Sequence, residues 1–169
     1  MSLTKEHSVL FWADDVKVIE SHSPRTVGVE FPEIVVLFII KKGGFFLTKK
    51  VLSLSTGKDE LVLPSFFVED MANAPSRVDS ILKGLHVSSK NVSLIETMSL
   101  FPERIASLIH IYFVQNASID DRKVNDEYML VPLDKGEDII TQHRMRDALS
   151  ITIYRTVMSK FYSLTTSES

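Results

Sequence analysis

The apolar run "IVVLFII", residues 34–40, constrains the fold of this chain more than any other feature. Almost all of its side chains are β-branched or aromatic, which favours a strand. Lys41-Lys42-Gly43-Gly44 follows directly, and a second β-rich run, "FFLTKKVLSL", comes after it. Because paired glycines suit a tight turn that needs positive φ, residues 33–54 predict a buried β-hairpin.

The same run argues against a membrane protein. A transmembrane helix needs about 20 consecutive apolar residues, and this run, the longest in the chain, is far shorter. It also lacks the charged flank and the cleavage site of a signal peptide. We therefore expect a cytoplasmic protein with no membrane partner.

Composition narrows the class of protein further. The chain has 169 residues, of which 44% are hydrophobic, enough for one domain with a proper core. Its 19 basic and 22 acidic residues leave a net charge of −3, so it lacks the basic balance of a nucleic-acid binder. The absence of cysteine excludes disulfides, thiolate metal sites and a cysteine nucleophile.

The segment "SRVDSILKGLHV", residues 76–87, has the periodicity of a helix. Its apolar residues follow the i, i+3, i+4, i+7 spacing of one helical face, and they are Val78, Ile81, Leu82 and Leu85. Pro75 suits a first helical turn. We predict a helix over 76–86 that buries these four side chains. Its other face carries Arg77, Asp79, Ser80, Lys83 and Gly84.

The rest of the chain alternates between strand and helix patterns. Short strands are predicted in "VLFWADDVKVIES", "TVGVEF", "ELVLP", "VSLIETMSL", "LIHIYFVQN" and "EYMLVPL". Helices are predicted near residues 134–143 and 146–164. The first two segments predict a small N-terminal sheet, and the Ser/Thr-rich end is expected to fray.

Several candidate motifs carry no chemistry. The five histidines, at positions 7, 22, 86, 110 and 143, show no zinc-ligand spacing. "TGKDE", residues 56–60, lacks the upstream glycine and the following Ser/Thr of a P-loop, so it is interpreted as a turn. His110 lies between Ile109 and Ile111, which predicts that its ring points away from them and is hydrogen-bonded or exposed.

In order along the chain, these strings resemble the Nudix hydrolases, particularly the branch that acts on ADP-ribose and related ADP compounds. The resemblance rests on "FFLTKK", "ELVLPS", "MSLFPERIASLIHIYFVQ", "EYMLVPL" and Arg146-Asp147-Ala148, and it spans nearly the whole chain. It implies an α/β (α+β) fold, a Nudix-like α/β/α sandwich with a mixed β-sheet and a small N-terminal β-region. The expected single domain comprises N-terminal strands in 1–31, a core in 32–164 and a frayed tail in 165–169.

The signature of this family is the Nudix box, G-x5-E-x7-R-E-U-x-E-E-x-G-U, in which U is a bulky aliphatic residue. Three of its glutamates share one side of a helix and hold magnesium against a diphosphate. Placing Ile81 and Val87 on the two aliphatic positions after the arginine fixes the alignment of the remaining positions. The box residues then become Ser65, Met71, Asp79, Ser80, Lys83, Gly84 and His86. The resemblance therefore predicts a degenerate box, no catalytic residues, no metal and no cofactor.

Other residues keep two alternatives open. The acids Glu69, Asp70, Glu103, Asp126 and Glu127 form either a displaced metal site or, more commonly, solvated loop charges. Lys49 resembles the basic residue that faces phosphate in the family, although an exposed lysine after a strand is the plain alternative. Lys49 and Lys83 are the candidate substrate-binding residues.

The favoured function is that of a catalytically inactive Nudix-fold protein that binds a nucleoside-diphosphate derivative such as ADP-ribose. The first alternative is an active magnesium-dependent hydrolase of ADP-ribose or ADP-sugar diphosphates that uses Glu69, Glu103 or Glu127. The second is a regulatory protein-interaction module. The resemblance also implies a homodimer built partly by residues 8–31, which are rich in aromatic and β-branched residues.

Overall fold

The computed structural model describes residues 7–13, 16–22, 25–30, 32–69, 74–99 and 107–165. The strands are β1 (His7–Ala13), β2 (Val16–His22), β3 (Arg25–Glu30), β4 (Glu33–Lys41), β5 (Phe45–Leu52), β6 (Asp59–Val62), β7 (Ser65–Val68), β8 (Val87–Ser88), β9 (Asn91–Met98), β10 (Ile109–Ile119) and β11 (Tyr128–Pro132). The helices are α1 (Ala74–Gly84), α2 (Gly136–Thr141) and α3 (Ala148–Thr165), with a 3-10 turn at Leu133–Lys135. None of the helices in these ranges is long and apolar enough to cross a membrane.

The first three strands form a separate antiparallel sheet in the order β1-β2-β3. Ala13 of β1 lies opposite Val16 of β2, and His22 of β2 lies opposite Arg25 of β3. The predicted small N-terminal sheet is therefore confirmed.

The other eight strands form one sheet with the order β11-β5-β4-β10-β8, in which β6 pairs with β5, β7 with β4 and β9 with β10. The β4 and β5 strands are antiparallel. Between β4 and β10, the Ile34 N–H donates to the Leu108 carbonyl at 2.9 Å and the Lys42 N–H to that of Ala117 at 3.1 Å. Since residue numbers rise together along both strands, this pair is parallel. The sheet is therefore mixed, as predicted.

The central hairpin forms where the sequence predicts it. Residues 35–40 of β4 are all buried, and Ile40 lies opposite Phe46 on β5. Gly43 and Gly44 in the turn have φ of 98° and 81°, a backbone conformation that favours glycine.

By its contacts the chain divides into two compact units, and each is described by itself. One comprises residues 1–36, 65–80 and 94–112, and the other residues 37–64, 81–93 and 113–169. In the second unit, α3 packs Tyr154 against Phe46 and Phe38, with ring centroids 5.4 and 6.3 Å apart. Phe113 on β10 extends this aromatic core, 5.8 Å from Phe38.

In the first unit, the beginning of β4 pairs with β7, a strand that the sequence analysis did not predict. Val36 lies opposite Ser65, and Glu33 opposite Val68. Pro64 precedes β7, and a proline argues against a strand because it cannot donate to the ladder. Since β7 itself has only four residues, its sequence shows too little alternation to predict a strand.

Helix α1 is present, but its bounds and its burial differ from the prediction of 76–86. Val78 and Leu82 are 1% and 4% exposed, whereas Ile81 and Leu85 are only half-buried. The helix ends at Gly84, a poor helix former. Leu85 therefore lies in the closing turn, where its N–H donates to the Ile81 carbonyl at 3.0 Å.

Candidate functional site

The exposed face of α1 is the first candidate site, because the box alignment places the metal ligands there. Arg77, Asp79, Ser80, Lys83 and Gly84 are all exposed, as predicted. The Ser80 hydroxyl donates to the Ser76 carbonyl at 3.0 Å, within its own helix. Positions i, i+3 and i+4 of this face, counted from Ser80, thus carry a hydroxyl, an ammonium group and no side chain.

The turn that closes α1 holds His86 in an unusual conformation. Its φ is 55°, in the left-handed region that favours glycine. Its N–H donates to the Lys83 carbonyl at 3.0 Å, and its own carbonyl accepts from the Asp120 N–H at 3.3 Å. Among the upstream box positions, Ser65 is exposed at the start of β7, and Met71 lies outside the described residues.

The candidate acids for a displaced metal site are only partly described. Glu69 is exposed immediately after β7, and Asp126 and Glu127 are exposed before β11. Asp70 and Glu103 lie outside the described residues. Within the ranges that the structure covers, no group of three or more His, Asp or Glu side chains could hold a metal ion.

Lys49 lies on β5, where the structure brings it together with Glu127 and Tyr128. Its Nζ is 3.9 Å from Glu127 Oε2 and 5.9 Å from the centre of the Tyr128 ring. Burial, and then the charge of Glu127, raise the pKa of Tyr128. Since the Lys49 side chain is 32% exposed and its nearest carboxylate is at the limit of an ion pair, its charge is only weakly neutralised.

A cavity of about 210 Å³ lies beside Tyr128 and is lined by Leu47, Asp121, Val124, Asn125, Asp126, Tyr128 and Leu130. Pockets that hold small organic ligands usually measure roughly 300–1,000 Å³. This cavity is too small for a dinucleotide-sized ligand, and its two aspartates disfavour a phosphate.

His110 forms contacts on both ring nitrogens. Its Nε2 is 2.8 Å from Glu33 Oε2, and its Nδ1 is 3.2 Å from Thr97 Oγ1. Because a carboxylate only accepts, Nε2 donates to Glu33, and in the neutral ring Nδ1 accepts from the Thr97 hydroxyl. Ile109 and Ile111 are buried, so the predicted orientation of His110 is confirmed. The three side chains join β4, β10 and β9.

The sequence reasoning missed Glu33 and Thr97 as the partners of His110. The alternation of apolar and polar residues in "IHIY" predicts the face of the strand to which the His110 ring points. Nothing in the sequence predicts which side chains form hydrogen bonds with that ring. The two contacts span 77 and 13 residues.

Comparison with known proteins supports the fold. No family model matches this chain, and no curated protein matches its sequence. A solved structure described as "Crystal structure of ADP compounds hydrolase" superimposes with a TM-score of 0.68 over 97% of this chain and 98% of that one, at 16% sequence identity. At this identity the likeness establishes the fold alone. The chain therefore has the predicted Nudix-like α/β fold, with a large mixed sheet.

Proposed function

We propose that this chain is a Nudix-fold protein that has lost its metal-binding box, does not hydrolyse diphosphates, and binds a nucleoside-diphosphate derivative such as ADP-ribose. The observation that carries the proposal is the exposed face of α1. Where the box has three glutamates at i, i+3 and i+4, this face presents Ser80, Lys83 and Gly84.

The conformation of His86 supports this alignment independently of side-chain chemistry. The box ends with a glycine, and the alignment places His86 at that position. Its φ of 55° is one that glycine adopts at no steric cost. The helix therefore ends with a backbone conformation that suits a glycine, although the residue at this position is His86.

Magnesium binding is unfavourable on this face. Mg²⁺ demands nearly ideal octahedral coordination by oxygen and gives up water reluctantly. The Ser80 hydroxyl donates to the Ser76 carbonyl, and the exposed ammonium group of Lys83 repels a cation. The same ammonium group suits a diphosphate, which is why binding without metal is the favoured function.

The nucleotide class is taken from the fold. The chain shares its fold with a protein described as an ADP compounds hydrolase, and the ligand class is assigned by analogy with that fold. Lys49, whose charge is weakly neutralised, is the second candidate contact to phosphate.

Calorimetric titration of ADP-ribose, in EDTA and again in excess Mg²⁺, tests this proposal. We expect the same dissociation constant in both buffers, and a loss of affinity of roughly tenfold in Lys83→Gln, since one charge-assisted hydrogen bond contributes about 1.5–3 kcal/mol. Lys58→Gln is the matched control, because Lys58 is an exposed lysine in the turn before β6.

Two outcomes would replace the proposal. Binding only with Mg²⁺, lost in Glu69→Gln, Glu103→Gln or Glu127→Gln, would favour the hydrolase with displaced carboxylates. No binding in either buffer would favour the protein-interaction module.

The proposal includes a cytoplasmic homodimer that pairs partly through β1, β2 and β3. A sheet of three short strands is marginal by itself and gains stability when a hydrophobic face is covered. Light scattering at micromolar concentration should give twice the chain mass of 19.1 kDa. A mass of 19.1 kDa would contradict the dimer.

A further inference from the structure

The second unit contains a groove whose lining shares no residue with the exposed face of α1. Its lining comprises Lys42, Ser88, Ser89, Lys90, Asn91, Asn116 and Ser118, and its volume is about 520 Å³. We call it the Lys42–Lys90 groove. Its volume lies in the range of roughly 300–1,000 Å³ that small-molecule sites occupy. Every lining residue is polar, two are cationic, and none is a carboxylate.

We propose that the Lys42–Lys90 groove binds a small organic phosphate through its phosphate group. The site goes beyond the proposed function, because none of the exposed residues of α1 lines it. It requires neither the box alignment nor a nucleotide ligand.

Among the residues that the structure describes, neither lysine of the groove has an acidic partner. No ion pair in the described part of the chain involves Lys42 or Lys90, whereas Lys41 pairs with Asp121 at 2.5 Å. Lys123 and Lys135 also form ion pairs, each with an aspartate three residues away. Two cations that line one groove without a carboxylate provide the charge that a phosphate dianion requires.

The sheet directs hydroxyl and amide groups to the same side. Ser88 on β8 lies directly opposite Ser118 on β10, so their side chains share a face. Ala117 is buried between Asn116 and Ser118, which are both exposed. The groove therefore receives two hydroxyl groups and an amide from paired strands, which are rigid supports for a ligand.

Asn116 owes its position to an irregularity in β10. Its φ is 51°, and the offset between β4 and β10 grows by one residue between the Ile34–Leu108 and Lys42–Ala117 hydrogen bonds. One extra residue in one strand is a β-bulge, a feature that re-aims a side chain and is common beside binding sites. The bulge places the Asn116 amide in the groove beside Lys42.

The turn after β8 is fixed against β10 as well. The Ser89 hydroxyl donates to the Gln115 carbonyl at 2.5 Å and accepts from the Asn91 N–H at 3.0 Å. Lys90 lies between these anchored residues and is exposed. Its backbone is thus held in place while its ammonium group remains available to a ligand.

Ribose 5-phosphate, followed by amide chemical-shift titration of the labelled protein, is the probe that tests the groove. We expect saturable shifts at residues 42, 88–91 and 116–118, which line the groove or adjoin its lining residues. The double variant Lys42→Gln/Lys90→Gln should weaken binding by roughly tenfold or more, since each lost charge-assisted contact can account for such a factor. Lys50→Gln/Lys58→Gln removes the same charge from exposed lysines outside the groove and should bind as the parent does.

A second variant keeps the test decisive if the double variant folds poorly. Ser118→Glu adds a carboxylate at an exposed position of the groove and should abolish the shifts at residues 88–91. Equal weakening by both lysine pairs, or shifts spread over the surface, would overturn the proposal by showing non-specific charge attraction. Shifts at residues 88–91 and 116–118 report this groove, whereas the calorimetric titration of ADP-ribose against Lys83→Gln reports the face of α1, so failure of this site and failure of the proposed function are separable.

Discussion

Replacing His86 by glycine should stabilise this protein, because His86 closes α1 with a φ of 55°. An L-residue in the left-handed region costs roughly 1–2 kcal/mol. Glycine avoids that cost but loses about 0.5–1 kcal/mol more backbone entropy on folding. The side chain is exposed, and the Lys83 and Asp120 contacts use the backbone of His86, so both contacts survive the change. The net gain in free energy of unfolding should be about 0.5–1 kcal/mol.

Urea denaturation followed by circular dichroism measures this gain. With an m-value of about 2 kcal/mol/M, the unfolding midpoint of His86→Gly should rise by about 0.25–0.5 M. His86→Ala removes the same side chain but keeps an L-residue, so its midpoint should not rise. A fall in the midpoint of His86→Gly would refute the left-handed conformation, and with it the support that this turn gives to the box alignment.

Two further predictions concern the second unit. In Gly136→Ala the added Cβ would clash with the ring of Tyr154, whose hydroxyl donates to the Leu133 carbonyl at 2.8 Å. Displacing this ring should lower the free energy of unfolding by about 1–3 kcal/mol. Partial recovery of that free energy in Gly136→Ala/Tyr154→Leu would confirm the clash. An unchanged thermal midpoint for Gly136→Ala would contradict it. The hydrogen bond and then the charge of Arg155 lower the pKa of Glu137, so its small stabilising contribution is present above its unfolded pKa and is lost as pH falls through the lowered value. NMR titration should show the Glu137 pKa below the ordinary value of a glutamate side chain, and this pKa should rise in Arg155→Gln. Equal pKa values in both proteins would contradict this pairing.

The sequence predicted those strands and helices whose pattern lies within one continuous segment. The buried run with Gly43-Gly44 predicts the central hairpin because both the strand and the turn chemistry are contiguous. The 3.6-residue periodicity predicts α1, although Gly84 ends it two residues early. Strand β7 was missed because a strand of four residues after a proline offers little alternation.

The candidate sites depended on contacts that local patterns do not encode. The partnership of His110 with Glu33 joins residues 77 positions apart. The Lys42–Lys90 groove is formed by residues from the turn between β4 and β5, the turn after β8 and the bulge in β10. In the sequence these are separate lysines, serines and asparagines with no recognisable spacing. By contrast, the positions of the proposed degenerate box on α1 were named from the sequence, because Asp79, Ser80, Lys83 and Gly84 lie within one helix.

Turnover measured on a panel of ADP compounds tests the central claim most directly. ADP-ribose, an ADP-sugar and a diadenosine diphosphate are incubated with the protein in Mg²⁺ or Mn²⁺, and released AMP is measured by chromatography against a protein-free blank. Because Ser80, Lys83 and Gly84 offer no carboxylate to a metal, we expect AMP release no faster than the blank with either ion. Metal-dependent release of AMP, abolished by Glu69→Gln or Glu103→Gln, would contradict the account and place the catalytic centre on the loops.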